Sequence, residues 1–374
     1  MSTLELVDPS ALLARLRDAL NGGPALRPYV GAPPPLPPHD PNDLPPGLVL
    51  AVGTSGSTGE PKLALHDADS LRASAAGTYA VLHGPGQWLL AIPPQHIAGL
   101  QVLVRSILSG TTPVIMDRDA GFTPQAFAAA TAALTGETAY TSLVPTQVGR
   151  LLDDPAGAAA LRRFAVVLVG GSAVPLTLRE RALAAGVRLV ATYGMSESAG
   201  GCVYDGRPLP GVEIAIDEDE RIHLGGPMIA HGYLGRPDLT AANFTTRDGK
   251  RWFATDDLGA LDPDGRLTVH GRRDDVITTG GLKVHPRVVE EAVLTAYPGL
   301  KSVVAVGVPD PEWGQIVALA VTGEHPPTRD EVRDRLRGEL AAYALPKVVR
   351  VLPHLPERGP GKPDRRAIAA MVGQ

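Results

Sequence analysis

The chain has 374 residues, 44% hydrophobic and 20% charged, which is apolar mass enough for two cores and too little charge for a disordered chain. Its formal net charge of −5 gives no basic field for nucleic acid. A single cysteine, Cys202, excludes an intrachain disulfide and a thiolate metal cluster. Met1 to Glu5 do not read as a basic leader, and no apolar run reaches membrane-span length, so the expectation is a cytoplasmic chain without membrane insertion.

Asp8-Pro9 reads as a helix start, an N-cap followed by proline at the first helical position, with Leu12, Leu13, Leu16 and Leu20 at helical spacing and Gly22-Gly23 as the stop. Residues 31–47 are proline-rich and predict an extended connector or a stiff strap over a surface. Leu48 to Val52 read as a buried strand. The next run is Thr54-Ser55-Gly56-Ser57-Thr58-Gly59-Glu60-Pro61-Lys62. Glycines let backbone N–H groups crowd round an anion, the hydroxyls add donors, and Lys62 adds a charge. Glu60 and Pro61 separate Gly59 from Lys62, so this is not the common phosphate loop, and the glycine spacing is not the dinucleotide fingerprint. Lysine occurs only at 62, 250, 283, 301, 347 and 362, so a lysine in this loop is a poor candidate for a random surface charge.

From Leu48 to about Arg272, strand-like runs (Trp88 to Ile92, Thr112 to Met116, Ala165 to Val169) alternate with helical ones (Pro124 to Leu134, Thr177 to Ala185), predicting an α/β domain with largely parallel sheets. From Val212 onward short strands around Gly-Asp turns (Glu213 to Ile216, Arg221 to Leu224, Leu267 to Val269) predict an antiparallel subdomain. After Arg273 a small α/β unit is legible. It has a helix over Pro286 to Tyr297, strands over Val303 to Val308 and Ile316 to Val321, and a Thr328/Glu331 capping box opening a helix that continues through Val332, Leu336 and Leu340.

Four further runs carry chemistry. Gly170-Gly171-Ser172 follows a buried strand and permits close approach of a flat ligand or simply turns into the next helix. Tyr193-Gly194-Met195-Ser196-Glu197 offers a stacking ring, a hydroxyl and a carboxylate suited to Mg²⁺, and fits an ordinary turn as readily. Asp257 can accept from two ribose hydroxyls or be a plain turn aspartate. Arg272, Asp274, Gly280 and Gly281 read alone as a charged linker before a glycine turn.

In order, these runs resemble the motifs of the adenylate-forming superfamily of acyl-CoA synthetases, adenylation domains and luciferases. The resemblance runs from Thr54 to Lys362, with Ser196 where the family has threonine and Asp256 where it has glycine. It implies a large domain (1–273) of α/β subdomains with a small antiparallel part, N-terminally shortened, and a small mobile C-terminal α/β domain (274–374). ATP and Mg²⁺ are implied as cofactors, with coenzyme A as co-substrate. Thr54 to Lys62 would hold the β- and γ-phosphates, Gly171, Ser172, Tyr193, Gly194 and Met195 the nucleotide, and Asp257 and Arg272 the ribose. Ser196 would donate to phosphate and Glu197 would hold the metal. Asp274 would be the hinge, Gly280-Gly281 would face the thiol substrate, and Lys362, at Gly361-Lys362, would be the mobile catalytic lysine. A surface role is expected for Lys283.

His96-Ile97-Ala98-Gly99 resembles the acyl-pocket motif of acyl-CoA synthetases, with Ser142 and Gly170 nearby on the same reading. Arg105 is either an anion-neutralising group or a surface arginine. Thr141 to Gln147 and Thr192 to Glu197 look similar to the o-succinylbenzoate–CoA ligases of menaquinone synthesis. The expected activity is therefore AMP-forming ligation of a small carboxylic acid to coenzyme A; the resemblance also admits a homodimer. The alternatives are another aryl- or acyl-CoA ligase, or a noncatalytic scaffold expected to have lost Lys362, Glu197 or Asp257.

Overall fold

The computed structural model describes residues 4–31, 35–40, 44–54, 62–359 and 362–373. The first helix runs over Leu12–Leu20, later than Asp8-Pro9 suggested. The Asp8 carboxylate accepts from the Ser10 N–H at 3.0 Å, closing a turn ahead of the helix instead of capping it. Leu12, Leu16, Ala19 and Leu20 are buried as one helical stripe. Leu12 and Leu16 are fully covered, and burial of this kind stabilises by roughly 1.5–3 kcal/mol per side chain.

The strap expectation for the proline stretch has a packing basis. Leu36 packs on the Leu44, Leu63, Leu65 and Leu234 cluster, and the Pro38 carbonyl lies where a Cβ on Gly235 would sit only 2.3 Å away.

Strands Leu4–Val7, Ala25–Pro28, Leu48–Gly53 and Leu63–Asp67 form a first sheet, parallel except for its last, antiparallel pair. A second, seven-stranded sheet runs in the order Arg207–Pro208, Gly200–Tyr204, Leu189–Met195, Val166–Val169, Ala139–Leu143, Gln87–Leu90, Val114–Ile115. Its strands from Leu189–Met195 to the far edge are parallel, joined by helical crossovers such as Ile97–Leu108 and Pro145–Leu152. The third sheet, Glu213–Ile216, Arg221–Gly225, Lys250–Leu261, Phe244–Arg247 and Leu267–Arg272, is antiparallel throughout.

Beyond Arg272 the long strands Leu300–Asp310 and Gly314–Gly323 pair antiparallel, with Val348–Val351 added in parallel. Their side chains alternate as a strand's period of two demands. Val303, Ala305, Val317 and Leu319 face Val289 and Val293 of helix Pro286–Ala296, whereas Val304, Val306, Ala318 and Ala320 face Ile368 and Val372 of helix Arg365–Val372. The Thr328 capping box forms, with Thr328 Oγ1 taking the Glu331 N–H and Glu331 taking the Thr328 N–H. Its helix covers only Arg329–Arg335 and does not reach Leu340; Gly338, at φ +94°, follows the last turn.

Candidate functional site

Three loops leave the carboxyl ends of neighbouring parallel strands: Val144 after Ala139–Leu143, Gly170 after Val166–Val169, and Ser196 after Leu189–Met195. That edge is where open α/β sheets bind ligands. Gly170 approaches so closely that a Cβ would lie 2.5 Å from Thr192 Oγ1, and Gly171 needs φ +83°. A Cβ on Gly194 would meet the Gly200 carbonyl oxygen at 2.1 Å. Ser142 is buried beside this edge and Ser172 is exposed.

Ser196 ties the second sheet to the first, its Oγ donating to the Gly53 carbonyl at 2.9 Å. The Gly53 strand ends in the glycine-rich loop, whose two ends close where the Thr54 N–H donates to the Lys62 carbonyl at 2.9 Å. Ser55, Gly56, Ser57, Thr58 and Gly59 lie outside the described residues. Lys62 Nζ sits 5.3 Å from the Tyr233 ring centre, and the Tyr233 hydroxyl donates to Glu197 Oε1 at 2.8 Å. Burial pushes the Glu197 carboxyl up, while the Tyr233 hydroxyl and the Lys62 charge hold it down. A buried carboxylate offers the hard oxygen donors that Mg²⁺ takes, so Glu197 fits that ion.

Tyr193 ties the second sheet to the third. Its hydroxyl donates to Asp257 Oδ2 at 2.9 Å, and Asp257 lies opposite Arg272 in the register of strands Lys250–Leu261 and Leu267–Arg272. Loss of water pushes the Asp257 carboxyl up; the Tyr193 hydroxyl and the Arg272 charge oppose that shift. Asp256, which stands where the family has glycine, keeps an ordinary negative φ within its strand. Arg272 grips Asp274 with Nε at 2.8 Å and Nη2 at 3.3 Å. The adjacent Asp275 turns the other way, to Arg365 Nε at 3.1 Å, and Arg365 also holds Glu290 at 2.6 Å. The two neighbouring aspartates thus tie the Arg273–Asp275 turn to strand Leu267–Arg272 on one side and to helix Arg365–Val372 on the other.

The remaining residues from the sequence are placed as follows. Gly280 and Gly281, at φ +56° and +79°, form a two-residue hairpin loop between Ile277–Thr279 and Leu282–Val284. Lys283 is exposed beside them. Lys362 opens strand Lys362–Pro363, paired with Glu357–Gly359. His96 is exposed at the start of helix Ile97–Leu108, and Gly99 lets that helix close on Pro93, whose carbonyl oxygen would stand 2.3 Å from a Cβ.

Arg105 is not a surface residue. It is buried, its guanidinium 5.1 Å from the Trp88 ring centre and 3.5 Å from the Tyr204 hydroxyl.

Several residues of the site carry no sequence signal. His66 is fully buried, its Nε2 donating to the Ser196 carbonyl at 2.7 Å. Nδ1 lies 3.1 Å from Ser70 Oγ, whose own proton goes to the Asp67 carbonyl at 2.9 Å. Burial pulls the imidazole down to about 4, so it is neutral near pH 7. Gln101 is buried against Gly200, one helical turn before Arg105. Its Oε1 and Nε2, and Arg105 Nε, have no hydrogen-bond partner among the described residues, so this helix face is polar inside an apolar core. Tyr233 shows only one trace in the sequence, an aromatic next to Gly232, and a Cβ on that glycine would lie 2.4 Å from Thr240 Cγ2.

Polar groups gathered at the carboxyl edge of a parallel sheet, with the two ends of a glycine-rich run and a buried carboxylate beside them, are the arrangement of a nucleotide-handling α/β protein. The match is specific: residues 15–234 fit the AMP-binding enzyme family and residues 290–362 its C-terminal domain. The chain belongs to the AMP-binding enzyme family. A probable 2-succinylbenzoate–CoA ligase of Mycobacterium tuberculosis is 44% identical over 328 residues, covering 86% of this chain and 84% of the relative. The o-succinylbenzoate CoA synthetase of Bacillus subtilis, in complex with its acyl-adenylate intermediate, superposes with a TM-score of 0.74 at 28% identity, covering 85% of this chain and 68% of that one. The same enzyme with ATP and magnesium ion gives a TM-score of 0.72 at 27% identity, covering 85% and 69%.

Proposed function

We propose that this chain is an AMP-forming ligase that joins 2-succinylbenzoate to coenzyme A through an acyl-adenylate, the step in menaquinone synthesis that the sequence resemblance implies. The observation that carries the reading is the convergence of three sheets on one site, through Ser196 on Gly53 and Tyr193 on Asp257, in a chain 44% identical to a probable 2-succinylbenzoate–CoA ligase. In the first half-reaction the acid's carboxylate attacks the α-phosphorus of ATP, and pyrophosphate leaves. In the second, the coenzyme A thiol displaces AMP.

The chain's own part is positioning and charge, which is what phosphoryl transfer asks of a protein. Thr54 and Lys62 close the loop that holds the departing phosphates. Glu197 would hold Mg²⁺, which supplies charge neutralisation on the phosphates. Asp257, with its carboxylate already oriented by Tyr193, takes the ribose hydroxyls, and Lys362 bridges the carboxylate and the α-phosphate. Arg105 and Gln101 offer buried polar groups to the acid's second carboxylate. Asp274 and Asp275 are the pivot between residues 1–273 and 274–374.

The test is a panel of aromatic and dicarboxylic acids assayed for ATP-dependent pyrophosphate release and coenzyme A thioester. 2-Succinylbenzoate is expected to give the highest kcat/KM. A better aryl or acyl substrate would replace the acid in this reading, and absence of pyrophosphate with every acid would point to a scaffold.

A further inference from the structure

Glu220, His270 and His285 come from three separate elements and meet on one spot. One potential ligand atom from each lies within 4.8 Å of the other two. Glu220 Oε2 stands 3.3 Å from His285 Nε2, and the two imidazole centres are 5.3 Å apart. The Nδ1 atoms of His270 and His285 are buried and have no hydrogen-bond partner among the described residues.

The three residues sit on well-fixed backbone. Glu220 occupies a turn at φ +65°, pinned by its N–H on the Asp217 carbonyl at 3.0 Å and by the Gly259 N–H on its own carbonyl at 2.9 Å. His270 lies in strand Leu267–Arg272, and His285 immediately precedes helix Pro286–Ala296. The nearby cations do not block the spot. Arg287 is spent on Glu291 at 2.7 Å, and Lys283 is exposed.

We propose that Glu220, His270 and His285 form a site for a divalent transition-metal ion of the zinc class, bridging residues 1–273 and 274–374 across the hinge. Two imidazoles and one carboxylate, with water in the fourth place, are a ligand set that Zn²⁺ accepts in tetrahedral geometry. With bonds of about 2.0–2.2 Å, a tetrahedral edge spans roughly 3.3 Å. The Glu220–His285 contact already has that length, and the widest separation must close by at most about 1.5 Å. Side-chain rotation of the exposed Glu220 and half-exposed His270 supplies such a movement. Nitrogen donors discriminate against Mg²⁺, so this site and that of Glu197 take different metals. An ion held here fixes one orientation of the two parts about Asp274. This consequence rests on the ligase reading above; the binding itself does not.

The experiment titrates the untagged full-length chain with Co²⁺ and Zn²⁺ in excess Mg²⁺, without ATP, by calorimetry and by the visible absorption of bound Co²⁺. One ion per chain is expected, with the intense bands of a tetrahedral site. His270→Ala, His285→Ala and Glu220→Gln, each checked for fold by circular dichroism, are each expected to weaken binding at least tenfold. No binding, or binding of equal affinity in the folded His285→Ala variant, overturns the site. The second arm measures pyrophosphate release and thioester formation from preformed acyl-adenylate, with and without Zn²⁺. Zn²⁺ is expected to slow one of these several-fold in the native chain and neither in His285→Ala. Equal effects on both overturn the clamp. A chain that binds the ion but releases no pyrophosphate with any acid would leave the metal site standing and sink the ligase reading instead.

Discussion

At the scale of single residues, the sharpest expectation concerns Lys362. A full charge delivered to the reacting phosphorus acts only while that phosphorus reacts. Lys362→Ala is therefore expected to lose at least about 10²–10³ in the rate of adenylation, as for removal of one preorganised donor. Thioester formation from preformed acyl-adenylate should be retained; equal loss there would remove the role assigned to Lys362. His66 gives a pH signature. Its folded-state pKa of about 4 lies below the ordinary 6.5, so the unfolded chain binds the extra proton between those values. Stability from this group is complete above pH 6.5 and falls as pH drops towards 4, by roughly 3 kcal/mol in all. Asp67 is shifted down mainly by its bonds to His231 and Ser70, against its own burial, so its loss comes at lower pH, below the ordinary carboxylate range. Urea midpoints at pH 7.5 and 5.5 should differ clearly in the native chain and much less in His66→Gln. Tyr193, Ser196 and Asp257 were legible because each sits in a short contiguous run. His66 was not, since it meets Ser196 across 130 residues and its own neighbours form no pattern. Gln101 hid for a different reason: a single amide among Leu100, Val102, Leu103 and Val104 belongs to no motif, and only the fold shows that it is buried with them.

At the scale of elements, strand positions were readable from apolar runs, and errors gathered at their ends. Thr112 to Met116 shrank to Val114–Ile115, an edge strand with one paired neighbour. The first helix lost its expected start because Asp8 found a nearer N–H to satisfy. The helix after Thr328 stopped early although Leu336 and Leu340 kept its spacing. Periodicity reports which face is apolar, and backbone termination is a separate matter decided locally. Close approach of two strands was also invisible. Gly194 faces the Gly200 carbonyl backbone to backbone, with no flexible side chain to yield. Gly194→Ala is expected to destabilise by about 1–3 kcal/mol and to weaken ATP binding with it. Gly149→Ala is the matched control. A Cβ there meets nothing within 4 Å in helix Pro145–Leu152, and a gain of roughly 0.5–1 kcal/mol is expected. Denaturant midpoints of the two variants should move in opposite directions.

At the scale of the molecule, the apolar clusters divide at the Arg273–Asp275 turn. Those of the first part end at Leu267, those of the second begin at Ile277, and none has members on both sides. In the sequence, the pattern of apolar runs likewise changes after Arg273. Brief trypsin treatment is expected to cut at the exposed Arg273 and leave two resistant fragments, and heating should show two transitions. A single cooperative transition with no fragments would mean that the two parts unfold as one. No described helix is long and apolar enough to cross a membrane.

The bond from Ser196 to Gly53 has a consequence for how this sequence is free to drift. Its acceptor is a main-chain carbonyl, present whatever residue occupies position 53, and a Cβ there would meet nothing within 4 Å. The donor is a side-chain hydroxyl, which only serine or threonine supplies at that reach. One end of the same contact is therefore open to substitution and the other is confined to two amino acids. Exchange of serine for threonine at 196 passes through without loss of the tie between the sheets.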